Sequence, residues 1–430
     1  MSKKNPLRSI MVWLVGASFL LACAGVGTAQ RAKPAAINPK TVAVREATAE
    51  VLRETGEIRK LSILRPVRSD AQTRLEIEGM LVRNLKESST PEAMQASETT
   101  LKKMGLVPAD YNLRESILKL LVEQVAGYYD AKTQQFHLAD WIDLDGQKPV
   151  MAHELTHALQ DQHFNLRRFD KWPKHDSDAE LAAHALVEGD ATLLMIQYVT
   201  HSPIRQFAML KSLVASGSAS TEQFDNAPRV LRETLIFPYT QGMTWVSRIY
   251  KRDGWEGVSQ AYGDLPKSTE QILHPEKYFA HEAPLDTSVW KNISTTLGKD
   301  WKAADNDVNG EWSYFLILDE YLKSKEESER AAAGWNGDRY VLYTGPNKGD
   351  VLITQKTFWD TEADALEFFD AYSKRTARRY GAEPTESEDG SARQWTTKEG
   401  GVMIRRNGKS VFIVEGVPDN VKAEALIKML

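Results

Sequence analysis

The sequence predicts an α+β protein: a mostly helical main domain that carries a small β-hairpin, followed by a smaller C-terminal α+β domain. Three observations predict it. Apolar residues recur at helical spacing through most of the first 250 positions, an aromatic hairpin signal interrupts them near position 130, and after about residue 290 the pattern becomes strand, strand, helix, strands, helix. A length of 430 residues suits two or three domains. The chain is 42% hydrophobic and 26% charged, ordinary values for a globular protein, which exclude a disordered chain and a multi-span membrane protein. A net charge of −5 argues against nucleic acid as the main partner.

The elements follow in order. Lys3, Lys4 and Arg8 precede an uncharged stretch over residues 9–30 whose first two thirds are strongly apolar. That pattern describes a secretory signal peptide over residues 1–29, with Gly27, Thr28 and Ala29 as the small residues before cleavage. Leu20-Leu21-Ala22-Cys23 also resembles a bacterial lipobox, in which the signal ends before Cys23 and that cysteine carries a lipid anchor. An uncleaved anchor is the third option, weakened by three glycines and a polar end. Cleavage after Ala29 removes three positive charges, takes the net charge from −5 to −8 and leaves 401 residues without cysteine. Such a chain has no disulfide, must be held by core packing, and has no membrane span after processing.

Residues 30–40 read as a linker and residues 41–109 as a helical region. Within it, residues 71–85 carry Leu75, Ile77, Leu81, Val82 and Leu85, and a further helix starts at Pro91 behind Ser89 and Thr90 and stops at Gly105. Residues 110–287 form the main domain. Asn112 opens a helix; residues 127–130 and 135–138 flank a polar turn and read as a hairpin; residues 150–164 and 179–200 read as helices. Residues 216–220 form a small-residue loop, helices resume near Arg229 and over residues 239–251, and residues 263–290 look irregular but packed. Residues 288–430 contain a helix at 311–321, strands at 340–343 and 351–357, an amphipathic helix at 362–380, a hairpin around Arg406-Asn407-Gly408, and a last helix from Asn420. Trp335, Tyr340 and Trp359 are expected core residues of this C-terminal domain, which offers no catalytic constellation of its own and would position substrate or a partner.

Residues 153–157 read His-Glu-Leu-Thr-His. With nine histidines and 59 acidic residues, about 0.03 such matches arise by chance, so the pattern carries information. On a helix His153 and His157 lie about 40° apart and can reach one zinc ion. Zinc acidifies a water, and Glu154 can take its proton as general base and pass it to a leaving amine. Three residues compete as third ligand. His163 has the spacing of HExxHxxGxxH, but Gln160 replaces the glycine, so an unbroken helix turns His163 away. Glu188 lies in a helix so apolar that its carboxylate must be buried, a state zinc would relieve. His184 shares its face. Asp190 is a candidate acceptor for the N–H of a ligand histidine.

These segments are similar to a known family. HELTHALQDQHF, after the AGYYD hairpin and before HALVEGDA, resembles the peptidase-MA-like gluzincins of bacteria and archaea. The FPYTQG segment with Trp245, and STEQILHPEKY, resemble them too. The resemblance implies a zincin-like fold for the main domain, one zinc ion per chain, and a hairpin lining the cleft for a peptide or protein substrate. His153 and His157 match the zinc histidines, Glu154 the catalytic glutamate and Glu188 the third ligand. A downstream histidine or tyrosine stabilises the oxyanion in this family; His274 is the first expectation and Tyr239 the second. The function implied is an exported zinc metallopeptidase. The alternative is a cell-envelope binding or assembly protein with a structural, catalytically silent zinc site. Glu154 separates them, because a closed structural site has no use for a carboxylate beside the metal.

Overall fold

The computed structural model describes residues 40–141, 143–172, 175–207 and 222–430; the expected signal sequence, Cys23 and the loop at 216–220 lie outside the described residues. Helix α1 (Lys40–Arg59) leads into strand β1 (Arg68–Gln72). Thr73 then caps α2 (Arg74–Ser88): its side chain accepts from the Glu76 N–H while the Glu76 carboxylate accepts from the Thr73 N–H. Thr90 caps α3 (Pro91–Lys103), and Gly105 ends it with φ 75°. Asn112 caps α4 (Leu113–Gln124). Strands β2 (Gly127–Asp130) and β3 (Gln135–Ala139) form the expected hairpin.

In this first part of the chain one strand was absent from the expectation. β1 pairs in parallel with β3, giving a three-stranded sheet of order β1-β3-β2 and placing a strand inside the region read as helical. Its sequence, RSDAQ, has no β-branched or aromatic residue, so nothing local announces a strand. The pairing with β3, some 65 residues on, makes it one.

Asp143 caps α5 (Leu144–Phe164) by accepting from the Gly146 N–H. The helix begins six residues before the expected Val150, since Pro149 forfeits one early hydrogen bond without ending the helix. Residues from Pro149 to Asp161 are buried on every side, so this helix runs through the interior. Asp176 caps the second buried helix, α6 (Ser177–Thr200). The two helices expected after Arg229 are one long element, α7 (Arg229–Ala261), bent at Gly254, whose φ of 67° falls where glycine is favoured. Short helices α8 (Thr269–Leu273) and α9 (Pro275–Phe279) order the segment read as irregular.

The C-terminal part contains β4 (Lys302–Asp307), α10 (Gly310–Leu322), α11 (Lys325–Ala332), β5 (Trp335–Thr344), β6 (Val351–Trp359), α12 (Glu362–Tyr380), β7 (Thr385–Glu386), β8 (Ala392–Thr397), β9 (Gly400–Asn407), β10 (Ser410–Val417) and α13 (Ala423–Ile427). Its seven strands form one antiparallel sheet of order β4-β5-β6-β10-β9-β8-β7. The chain is therefore α+β. The polar strands β4, β7 and β8 went unread in the sequence. Trp335, Tyr340 and Trp359 are buried, as expected.

Three apolar cores organise the described residues; the smallest, with Ile293, Tyr343, Val414 and Leu426, belongs to the C-terminal part alone. In one of the two larger cores, Val44 and Val51 of α1 join Phe136 and Leu138 of β3, Leu155 of α5, Leu186 of α6 and Trp245 of α7. In the other, Ile77, Leu101 and Leu113 of α2 to α4 join Tyr314 of α10 and Trp359, Phe368 and Ile413 of the C-terminal part. The region at 41–109 is thus shared: its first helix serves the main domain, and its later helices serve the C-terminal sheet. Among the described residues no helix is long and apolar enough to cross a membrane.

Candidate metal centre

The two buried helices bring three donor atoms together. Nε2 of His153 and Nε2 of His157 lie 3.1 Å apart, and Oε2 of Glu188 lies 3.1 Å from the first and 3.5 Å from the second. All three side chains are buried. Two imidazole nitrogens and a carboxylate oxygen are a zinc donor set, and ligands about 2.0–2.1 Å from a tetrahedral ion sit roughly 3.3 Å from one another, so the spacing fits zinc. Three donors leave a fourth position for water or substrate.

The charges at the site are set by burial against proximity. Burial opposes the charged form of His157, but the Glu188 carboxylate outweighs it and raises the ring to about 9. Burial likewise raises Glu188, while His157 and His153 pull it down to about 2. Proximity thus favours a protonated His157 ring facing an ionised Glu188 carboxylate.

The crossing of α6 and α7 places Tyr239. A Cβ added at Gly189 would stand 2.3 Å from the Gly242 backbone, and one at Gly242 would stand 2.2 Å from the Ala185 carbonyl oxygen. Two glycines therefore let these helices touch through their backbones, beside Glu188 on one and three residues after Tyr239 on the other. The Tyr239 ring stacks on His153, with centroids 6.0 Å apart. Burial, then the nearby Glu188 and Glu154 carboxylates, hold its phenol well above the ordinary range, so it stays a proton donor.

Glu154 is fully buried beside the two histidines, and its Oε2 accepts the backbone N–H of Tyr129 at 2.8 Å. The hairpin reaches the site through that main-chain amide. The side chains of Tyr128 and Tyr129 are both buried: Tyr128 binds Gln72, and Tyr129 donates to Asp161 at 3.0 Å.

His274 lies elsewhere. Its Nε2 bonds the Glu311 carboxylate at 2.9 Å, and none of its contacts is with His153, Glu154, His157 or Glu188. Of the two expected oxyanion donors, the structure brings only Tyr239 to the site. His163 faces the loop before β1, where its Nε2 donates to the Ser62 carbonyl at 2.8 Å. His184 is buried on α6 near Phe169, outside the three-donor group. The sequence expectation that Asp190 accepts from a ligand histidine is not met directly. Gln160 stands between them: its Oε1 accepts from His157 Nδ1 at 2.8 Å and its Nε2 donates to Asp190 at 3.0 Å. The sequence signal for Gln160 was its position three residues after His157, on the neighbouring helix face.

A second acidic group, Glu270, Glu282 and Asp360, converges on Lys277 Nζ at 2.7, 2.8 and 2.5 Å, which makes it an ion-pair clamp between α8, α9 and the β6–α12 turn.

Residues 296–426 match a family described as Domain of unknown function (DUF8575). No curated protein and no solved structure matches the chain. The matched segment runs from before β4 into α13 and contains none of His153, Glu154, His157 or Glu188.

Proposed function

We propose that this chain is an exported zinc-dependent peptidase with a zincin-like main domain of the gluzincin kind. The observation that carries the reading is the convergence of His153, His157 and Glu188 on one point with Glu154 beside them. A zinc ion held by those three residues supplies Lewis acidity, which lowers the pKa of water and polarises a substrate carbonyl. Glu154, oriented by the Tyr129 amide, takes the proton from the attacking water and hands it to the departing amine. Tyr239 remains neutral and donates its hydroxyl proton in a hydrogen bond to the developing oxyanion. Strand β2 is an edge of its sheet and lies against the Glu154 helix, so it offers main-chain hydrogen bonds to an extended peptide. Export rests on the basic, then apolar, start of the sequence.

Metal analysis with peptide-library cleavage tests the reading on wild type and Glu154→Gln. The expected result is one zinc per chain in both and cleavage by wild type alone. Undiminished turnover by Glu154→Gln would sink the mechanism. Stoichiometric zinc with no cleavage by wild type would favour the structural-site alternative.

A further inference from the structure

We propose that Gln160, locked by a buried Arg59–Asp190 ion pair, fixes the His157 proton on Nδ1 and thereby aims its Nε2 at the metal. This rests on the zinc reading above and adds three positioning residues to it.

The argument starts at Arg59, the last residue of α1. It is fully buried, with Nε 2.6 Å from Asp190 Oδ1 and Nη2 3.0 Å from Asp190 Oδ2, a two-pronged pair. Its remaining nitrogen Nη1 donates to the Trp255 carbonyl and to Ser259 Oγ, and the guanidinium lies over the Trp255 ring. Asp190 is thereby immobile and offers only acceptor oxygens. Its Oδ2 also accepts from the Tyr262 hydroxyl at 2.9 Å.

The next link is Gln160, also fully buried. Its amide faces Asp190 Oδ2 and the Val187 carbonyl, each 3.0 Å from one end, and His157 Nδ1 at the other. The two partners at the first end are both acceptors. Only the NH2 group can sit there, because a flipped amide would press its oxygen against two acceptor oxygens with no hydrogen between them. The Gln160 oxygen must then face His157, and that oxygen can only accept. His157 Nδ1 therefore carries a proton, and in the neutral ring Nε2 carries the lone pair that a metal needs. The direction of every bond follows from Asp190 being an acceptor, and Arg59 holds Asp190 there. A consequence is that α1, far from the motif in sequence, is part of the metal centre.

The test measures zinc affinity by competition with a chromophoric chelator at one pH, for wild type, Gln160→Met and Arg59→Lys, with the melting temperature of each zinc-free protein as control. Gln160→Met keeps the shape and removes both hydrogen-bonding ends; zinc affinity is expected to fall about 10–100-fold. Arg59→Lys keeps the charge that Asp190 needs but loses the two-pronged geometry and the bonds to Trp255 and Ser259, so a smaller fall in affinity is expected together with a lower zinc-free melting temperature. Nitrogen-15 histidine spectra of zinc-loaded wild type should place the His157 proton on Nδ1. A Gln160→Met affinity within about twofold of wild type, or a His157 proton on Nε2, overturns the proposal. If Gln160→Met does not fold, unchanged affinity in Arg59→Lys overturns it. Absence of zinc binding by wild type is a different failure, since it removes the zinc reading itself.

Discussion

His157 and Glu188 face each other across 3.5 Å of buried protein, and their coupling dictates how the site responds to pH. The His157 ring is raised from 6.5 to about 9, so its contribution to the stability of the metal-free fold is fully present below 6.5 and is lost as pH rises through 9. Glu188 is lowered from 4.5 to about 2, so its contribution is present above 4.5 and is lost as pH falls through 2. The pair stabilises the metal-free protein most fully between 4.5 and 6.5. On the proposed zinc reading, the metal must displace the His157 proton. Its affinity should therefore rise about tenfold per pH unit between roughly 6.5 and 9, and a flat profile in chelator competition would contradict the pairing. At Tyr239, removing the hydroxyl in Tyr239→Phe should lower kcat by about 10²–10³-fold while zinc content stays at one per chain. His274→Ala should leave kcat nearly intact and lower the melting temperature, because it strips the buried Glu311 carboxylate of its partner; a selective loss of kcat would return His274 to the site. At this scale the sequence was most informative where chemistry is local. The two histidines and Glu154 share one helical turn, and Glu188 betrayed itself as a carboxylate in an apolar helix. Arg59 gave no signal, because its partner Asp190 is 131 residues away and only folding joins them.

The element that decides the geometry is the crossing of α6 and α7. Gly189 and Gly242 have ordinary helical backbones, so they are present for closeness and not for conformational freedom. A methyl group at either position would sit 2.2–2.3 Å from the opposite backbone, and backbone cannot step aside as a flexible side chain does. Gly242→Ala should therefore destabilise the fold by about 1–3 kcal/mol, read as a lower urea midpoint at unchanged slope. It should also reduce turnover more than zinc binding, since the helix that moves carries Tyr239 and not the ligands. Full stability in Gly242→Ala would mean the helices do not meet there. Capped and strongly periodic helices were legible in sequence: Thr90 and Asn112 open helices as their side chains suggest, and the helix at residues 362–380 was read to the residue. The strands missed were those made by partners. β1, β4 and β8 carry too many polar residues to alternate cleanly, and each becomes a strand by pairing with a neighbour already in place.

Across the whole molecule, the two larger cores meet at Trp312, which packs against both. The C-terminal part is therefore more than an appended platform for substrate. Tyr314 of α10 sets its ring against Phe368 of α12 at 5.0 Å and near Trp359, and its hydroxyl bonds Gln355 of β6 at 3.1 Å. From the other side, Arg375 of α12 donates to the Met104 carbonyl and Arg379 to the Lys103 carbonyl, tying the end of α3 to the same helix. Cutting the chain at residue 330 would expose Tyr314, Phe315, Leu101 and Leu113, all buried now. At about 1.5–3 kcal/mol for each large apolar side chain, that loss rivals the roughly 5–15 kcal/mol that holds a typical domain together. A chain lacking residues 331–430 should thus lose its cooperative thermal transition by near-ultraviolet circular dichroism, and with it cleavage of short unstructured peptides as well as folded proteins. A domain that only presents substrates predicts a different pattern: normal melting, normal cleavage of short peptides, and a defect on folded targets alone. The two outcomes separate on the short peptide. Such a substrate needs only the proposed zinc site and no docking surface, so its turnover would report whether α2 to α4 and α10 can hold the main domain in shape without the sheet that covers them.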